Sequence, residues 1–282
     1  YINGIFWGLY NIREKTNEYY AESNYDINVD NVELIEGPDK VAHGDSAHYQ
    51  SLINYVKAND LSLPLNYAYV QTQMDVTEFM NYFITQLYIR NYDWLHQNIK
   101  CWREHNTDGI WRWLLYDLDW GFSGEIMQGV EQYKHNSVEW ALMQGEASIL
   151  FQSLMSNQTF KQEFVQRFAT HLNLTFHPQR VHHIINTTVH GIAREMPRQI
   201  DRWGAIRSMA YWQEQLNVLH EFAELRPRYV FQHLEQILHG NPKVELIAQV
   251  SDSSAGYITV YDAPGPVPMF VGMWFKNIPI VI

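Results

Sequence analysis

The chain has 282 residues, 46% of them hydrophobic, with 20 Lys and Arg against 31 Asp and Glu for a formal net charge of −11; that suits one large globular domain, or a domain with an appendage. The acidic balance excludes the clustered Lys and Arg of an electrostatic nucleic-acid footprint, and the single cysteine, Cys101, excludes an intrachain disulfide or a structural zinc cluster. No apolar run reaches the length of a transmembrane helix.

The chain opens in strand material at YINGIFWGLYNIREK. Asn3-Gly4 between β-formers is a hairpin signal, and IFWGLYNI reads as its second strand, with Gly8 marking a close approach. Tyr1 without a preceding methionine reads as the start of a processed fragment whose first strand is cut. DSAHYQSLINYVKA (residues 45–58) reads as a helix capped by Asp45 or Ser46, and residues 59–66, with Pro64, as a loop. Asp75 followed by Glu78 is a helix start. Met80, Phe83, Ile84, Leu87 and Tyr88 then follow at the spacing of one buried helical face. IKCWR and IWRWLLYDL read as two strands joined by EHNTDG, with the second ending at Asp117-Leu118-Asp119. From there to about residue 240 the pattern is helical, and Pro227 should kink or divide the last helix. Residues 241–282 alternate in strand fashion, as the start of a β-rich appended module.

Two stretches carry the chemistry. In NYDWLHQN (residues 91–98) Asp93 precedes Asn98 by five positions. In LLYDLDWGF (residues 114–122) Asp117 and Asp119 flank one leucine, ahead of Trp120-Gly121. Phosphoryl transfer from ATP needs a carboxylate to receive the proton of the attacking hydroxyl. It also needs a carboxamide and a further carboxylate to hold Mg²⁺. In protein kinases the base and the Asn share an Asp-x4-Asn loop, and the metal Asp follows a short hairpin, just before a Gly. The order here is the same. Spacing alone leaves the alternative open that Asp93 and Asn98 cap turns and that Asp117 and Asp119 are solvated at a strand end.

NGIFWGLYNIREK, HGDSAHYQSLINYV, NYDWLHQNIKCWR, WRWLLYDLDWGF and the later FKQEF segment together resemble the spore coat protein H (CotH) kinase-like family, over residues 1–240. The resemblance implies an α+β fold of atypical protein-kinase type, with a truncated β-rich N-lobe and a mostly helical C-lobe. It implies an ATP-dependent enzyme, using Mg²⁺ or Mn²⁺, that phosphorylates Ser or Thr of spore-coat, cell-surface or secreted bacterial proteins. Carried over by position, Asp93 is the catalytic Asp, Asn98 the metal-binding Asn, and Asp117 with Asp119 the metal-binding pair. Glu14, in Gly8-Leu9-Tyr10-Asn11-Ile12-Arg13-Glu14, is an ion-pair partner or nucleotide contact. The cation for the phosphates is expected upstream of Tyr1.

Two other function classes fit the same residues. One is a non-catalytic kinase fold acting in coat or surface assembly. The other is a carbohydrate-active enzyme, with paired carboxylates between aromatic platforms. The thirteen histidines form no H-E-x-x-H motif, which argues against a histidine-held metal. His96 is expected to pack locally, Lys100 and Arg103 to lie on a solvated strand face, and the Trp residues near the two stretches to build core.

Overall fold

In the computed structural model of the chain, which describes residues 1–106, 108–122, 131–266 and 268–282, helix α4 (Val76–Ile89) is the member around which the others are arranged. Its start is the one the sequence announces. Asp75 accepts from the Glu78 N–H at 3.0 Å, satisfying one of the unpaired first-turn donors. The expected stripe of Met80, Phe83, Ile84, Leu87 and Tyr88 is buried, but so are Phe79, Tyr82, Gln86 and Ile89. A helix this apolar all round is enclosed on nearly every side.

Against α4 lies an antiparallel sheet of β1 (Val32–Glu36), β2 (Lys40–His43), β3 (Lys100–Glu104) and β4 (Arg112–Trp113), in the order β2-β1-β3-β4. One face sends Ile35, Cys101 and Trp113 into the main core. The other packs Val32, Leu34 and Trp102 on Leu114 and on Ala21 of α1 (Glu18–Tyr25). Glu33 is buried at 2% exposure, which is tolerable because Arg103 Nε donates to it at 2.5 Å and His105 Nδ1 lies 2.6 Å from its second oxygen. Arg103 is therefore buried and paired, not on a solvated face.

Several expectations change. Asn3 and Gly4 do form a tight turn, both at positive φ, with Ile2 bridged to Ile5. IFWGLYNI, however, forms no strand. It packs on α9 (Met196–Trp203), where Gln199 Oε1 accepts from the Leu9 N–H at 2.9 Å and the side chains of Arg202 and Trp203 each donate to the Trp7 carbonyl at 3.2 Å. These side chains take backbone groups that a neighbouring strand would otherwise pair. The β-rich N-terminal remnant thus reduces to one bridge, and the sheet comes from residues 32–113. Pro64 opens helix α3 (Pro64–Gln73) instead of lying in a loop; at the first helical position its missing N–H costs nothing. β4 stops at Trp113, followed only by the Leu114 N–H donating to the Lys100 carbonyl at 2.9 Å.

The helical half comprises α5 (Ser137–Leu142), α6 (Ile149–Ser156), α7 (Gln158–Asn173), α8 (Pro178–Ile192), α9 and α10 (Met209–Ile237). Residues 123–130 of the expected helical stretch, and Thr107 of the expected turn, lie outside the described residues. α10 runs through Pro227 undivided. Phe222, Ala223, Arg226, Val230 and Leu234 are buried on both sides of the proline, and this packing holds the two halves in one helix despite the lost hydrogen bond.

The tail has the expected strands, β5 (Lys243–Gln249) pairing with β8 (Met269–Phe275) and β6 (Thr259–Val260) with β7 (Ala263–Pro264). β8 lies along α7. Asn173 bonds both the N–H and the C=O of Met273, at 3.1 and 2.7 Å. Gln166 bonds both the N–H and the C=O of Phe275, at 2.9 and 3.0 Å. Two side-chain amides on a helix thus occupy the place of a neighbouring strand. Gly272 permits the approach, since a Cβ there would come within 2.7 Å of Asn173 Cγ. Phe270, Trp274 and Phe275 join the hydrophobic cluster that contains Phe83 and Phe164.

Candidate functional site

α4 delivers the chain to the first stretch. Arg90 ends the helix in the left-handed region, at φ 55°. Asn91 follows, at 1% exposure, and its Nδ2 donates to Gln86 Oε1 at 3.0 Å and to the carbonyl of Asp117 at 3.2 Å. Two backbone bonds join the same segments, Phe122 N–H to the Ile89 carbonyl at 2.8 Å and Tyr92 N–H to the Trp120 carbonyl at 3.4 Å. The rings of Tyr92 and Trp120 stack at 5.8 Å and 19°. Gly121 fits closely against Ile89, where a Cβ would meet the Ile89 side chain at 3.1 Å. The two stretches, 26 residues apart at Asn91 and Asp117, are therefore one structure.

Within the first stretch Trp94 and Leu95 anchor the loop, both buried, with Trp94 Nε1 donating to Tyr82 Oη at 2.8 Å. Leu95 and Asn98 adopt positive φ, 87° and 57°. This turn brings Asn98 Nδ2 to 2.8 Å from Asp93 Oδ2. The other oxygen, Asp93 Oδ1, is buried without a hydrogen-bond partner. Burial first, then the like charges of Asp117 and Asp119, hold the Asp93 carboxyl above the usual Asp range. Asp117 and Asp119 are exposed, and Asp117 has φ 54°. Among the described residues no Lys, Arg or His forms an ion pair with any of the three carboxylates.

The neighbourhood adds residues that sequence reasoning missed. Lys100 faces Glu36 across the β1–β3 ladder, with Nζ 3.5 Å from Glu36 Oε1, 3.3 Å from Thr16 Oγ1 and 4.5 Å over the Tyr116 ring. It is enclosed and paired, where a solvated strand face was expected. Burial, then the charges of Glu36, Asp117 and Asp93, push the Tyr116 phenol up to about 12. Glu14 is not brought to this cluster by any hydrogen bond. It is exposed and accepts from Asn24 Nδ2 at 3.1 Å. The missing signal for Asn91, Glu36 and Tyr116 was their partners, which lie far away in sequence.

Of the other candidates, His96 bonds Gln144 Oε1 at 2.9 Å, and Trp94, Trp102, Trp111 and Trp113 are core residues. Asp45 Oδ1 accepts from the Ala47 N–H at 2.8 Å, at the start of α2 (Ala47–Ala58). Glu33, Asp45 and His105 place potential ligand atoms within 4.8 Å of one another, but Arg103 already neutralises Glu33.

A family model described as CotH kinase protein matches residues 1–230, covering every residue of this cluster. The chain belongs to the CotH kinase family. No curated protein and no solved structure matches it. Membership of the CotH family points to a kinase-type enzyme that uses ATP and a divalent metal. No helix among the described residues is long and apolar enough to cross a membrane.

Proposed function

We propose that this CotH domain is an atypical protein kinase that transfers the γ-phosphoryl group of ATP to a Ser or Thr hydroxyl of a spore-coat, cell-surface or secreted protein. The observation that carries the reading is the Asp93 carboxyl. Asn98 fixes one oxygen, while the other is buried, unpartnered and free to accept a hydroxyl proton. Its raised affinity for protons suits a base. In the reaction the hydroxyl proton passes to Asp93, the hydroxyl oxygen bonds the γ-phosphorus, and the bond to the β–γ bridging oxygen breaks, releasing ADP.

Mg²⁺ or Mn²⁺ fits the donor set. Three carboxylates that have no counter-charge among the described residues, beside one carboxamide, are hard oxygen ligands of the type such ions take. Asn98, Asp117 and Asp119 would hold the ion, which neutralises phosphate charge when bound. The Asn98 carboxamide oxygen is available for this because its bond to Asp93 uses Nδ2. In this reading the helix, loop, hairpin and Asp-x-Asp order is the C-lobe of a kinase-like fold.

The test is transfer of label from γ-labelled ATP to protein acceptors or to the chain itself. Asp93→Ala should lower labelling by on the order of 10²–10⁴, and Asp117→Ala should do so with loss of the metal requirement. Equal labelling by wild type and both variants would sink the assignment.

A further inference from the structure

Arg90 stands three residues before Asp93, at 8% exposure. Its Nε and Nη1 are buried and have no hydrogen-bond partner. Among the described residues no carboxylate pairs with it. Its guanidinium carbon lies 5.2 Å from the ring centroid of Tyr92 and 5.7 Å from that of Trp140. Rings solvate a cation from their faces but leave the in-plane N–H donors unused. The contrast with Arg226 is informative. That side chain is buried more deeply, at 1% exposure, yet all three of its nitrogens donate, to the carbonyls of Leu87, Tyr88, Tyr133 and His135 and to Ser137 Oγ.

A buried cation with orphaned donors and no counter-charge is costly to keep. A bound anion would supply the missing counter-charge; a guanidinium presents two bidentate edges for an oxyanion, Nη1 with Nη2 and Nε with Nη2, so one oxyanion would partner Nη2 and one of the two orphaned donors. The location indicates which anion. The Tyr92 ring touches the Arg90 cation and also stacks on Trp120, which directly follows Asp119. Tyr92 is 43% exposed, so the ring that covers the cation lies at the surface and not in the core.

We propose that Arg90 is the oxyanion-binding residue of a substrate subsite beside Asp93, receiving the phosphate or carboxylate of a phosphorylated or acidic side chain close in sequence to the acceptor hydroxyl. The acceptor half of this statement rests on the kinase reading. The oxyanion half stands on the geometry of Arg90 and is tested without catalysis.

The probe is inorganic phosphate, compared with chloride at matched ionic strength, in the presence of EDTA so that metal-held phosphate is excluded. Thermal unfolding and tryptophan fluorescence are followed in wild type, Arg90→Met and Arg90→Lys. Phosphate should raise the melting temperature of wild type. Arg90→Met should melt no lower than wild type in chloride, because an uncompensated charge has gone, and should lose the phosphate response. Arg90→Lys, which keeps the charge without the fork, should bind phosphate roughly tenfold more weakly. An Arg90→Met variant that melts well below wild type in chloride, or that responds to phosphate as wild type does, overturns the oxyanion site.

A second arm uses serine peptides with a neighbouring phosphoserine, glutamate or alanine. Wild type should label the anionic peptides with KM roughly tenfold lower than the alanine peptide, and the order of the first two separates phosphate from carboxylate. Arg90→Met should erase the preference. Labelling indifferent to the neighbouring anion overturns the substrate assignment. A phosphate response with no labelling of any peptide supports the oxyanion site and counts against the kinase reading alone.

Discussion

Glu78 answers two demands with one side chain. Its N–H is capped by Asp75, and its carboxylate accepts from the Trp113 N–H at 2.9 and 3.1 Å, fastening the start of α4 to β4. Burial raises its pKa to about 7, against the lowering effect of the Trp113 N–H and with some help from Asp75. Because the folded value lies above the ordinary 4.5, the native state binds a proton between these pH values that the unfolded chain does not. The contribution of Glu78 to stability therefore grows as pH falls from about 7 towards 4.5, and above 7 the full cost of the buried charge remains. His135, His171 and His233 oppose this trend. Burial holds each near 4, so they lose stability as the medium turns acid. The clean readout is the stability of Glu78→Gln relative to wild type in denaturant titrations. From pH 5 to pH 8 the difference should move in favour of the variant by up to roughly 3 kcal/mol. A difference that stays constant across that range would show that Glu78 does not titrate there.

At the scale of elements, the site depends on how the exit of α4 is joined to the Asp-x-Asp segment. Asn91→Ala removes a buried carboxamide and leaves Gln86 Oε1 and the Asp117 carbonyl without their donor. The expected loss is about 1–3 kcal/mol of stability. On the metal assignment proposed above, Mg²⁺ should raise the melting temperature of wild type, and that rise should shrink in the variant, since Asp117 is no longer held. Asn91→Ala that lowers stability but leaves the Mg²⁺ response intact would mean that the Asn91 bonds do not position the carboxylates proposed to hold the metal. Sequence reasoning reached α4 and the β3–β4 hairpin because their signals are local, a cap at Asp75 and an apolar stripe behind it. It could not reach β1 and β2, where Glu33 occupies a buried position and breaks the expected alternation. Nor could it find Arg226, whose five bonds reach carbonyls and a hydroxyl 89 to 139 residues away. Asp93, Asn98, Asp117 and Asp119 could be singled out as candidates because spacing survives in one dimension. Asn91, which ties them together, is defined only by contacts.

For the whole molecule, the question is how the last forty or so residues share in its stability. The alternation in residues 243–275 predicts strands, but nothing in it predicts their partner on α7, because a helix does not advertise a face that pairs with a strand. Trp274 is fully buried, and its Nε1 donates to Thr170 Oγ1 at 2.9 Å. Trp274→Ala should cost about 3–5 kcal/mol, read as a lower denaturant midpoint for the single transition that also reports on residues 1–240. If the tail unfolds separately while the transition of the remainder stays in place, the tail is an independent unit.

The amides of Gln166 and Asn173 have a further consequence. A strand at the margin of a two-stranded ribbon is a template on which another chain can grow, and proteins must blunt it. β5 already takes one side of β8. The helix takes the other at Met273 and Phe275, where it meets both donors and both acceptors. Replacing Gln166 and Asn173 with residues that cannot pair would therefore do more than loosen a contact. It would expose an apolar, Met- and Phe-rich strand to its own copies, making self-association the first symptom to look for.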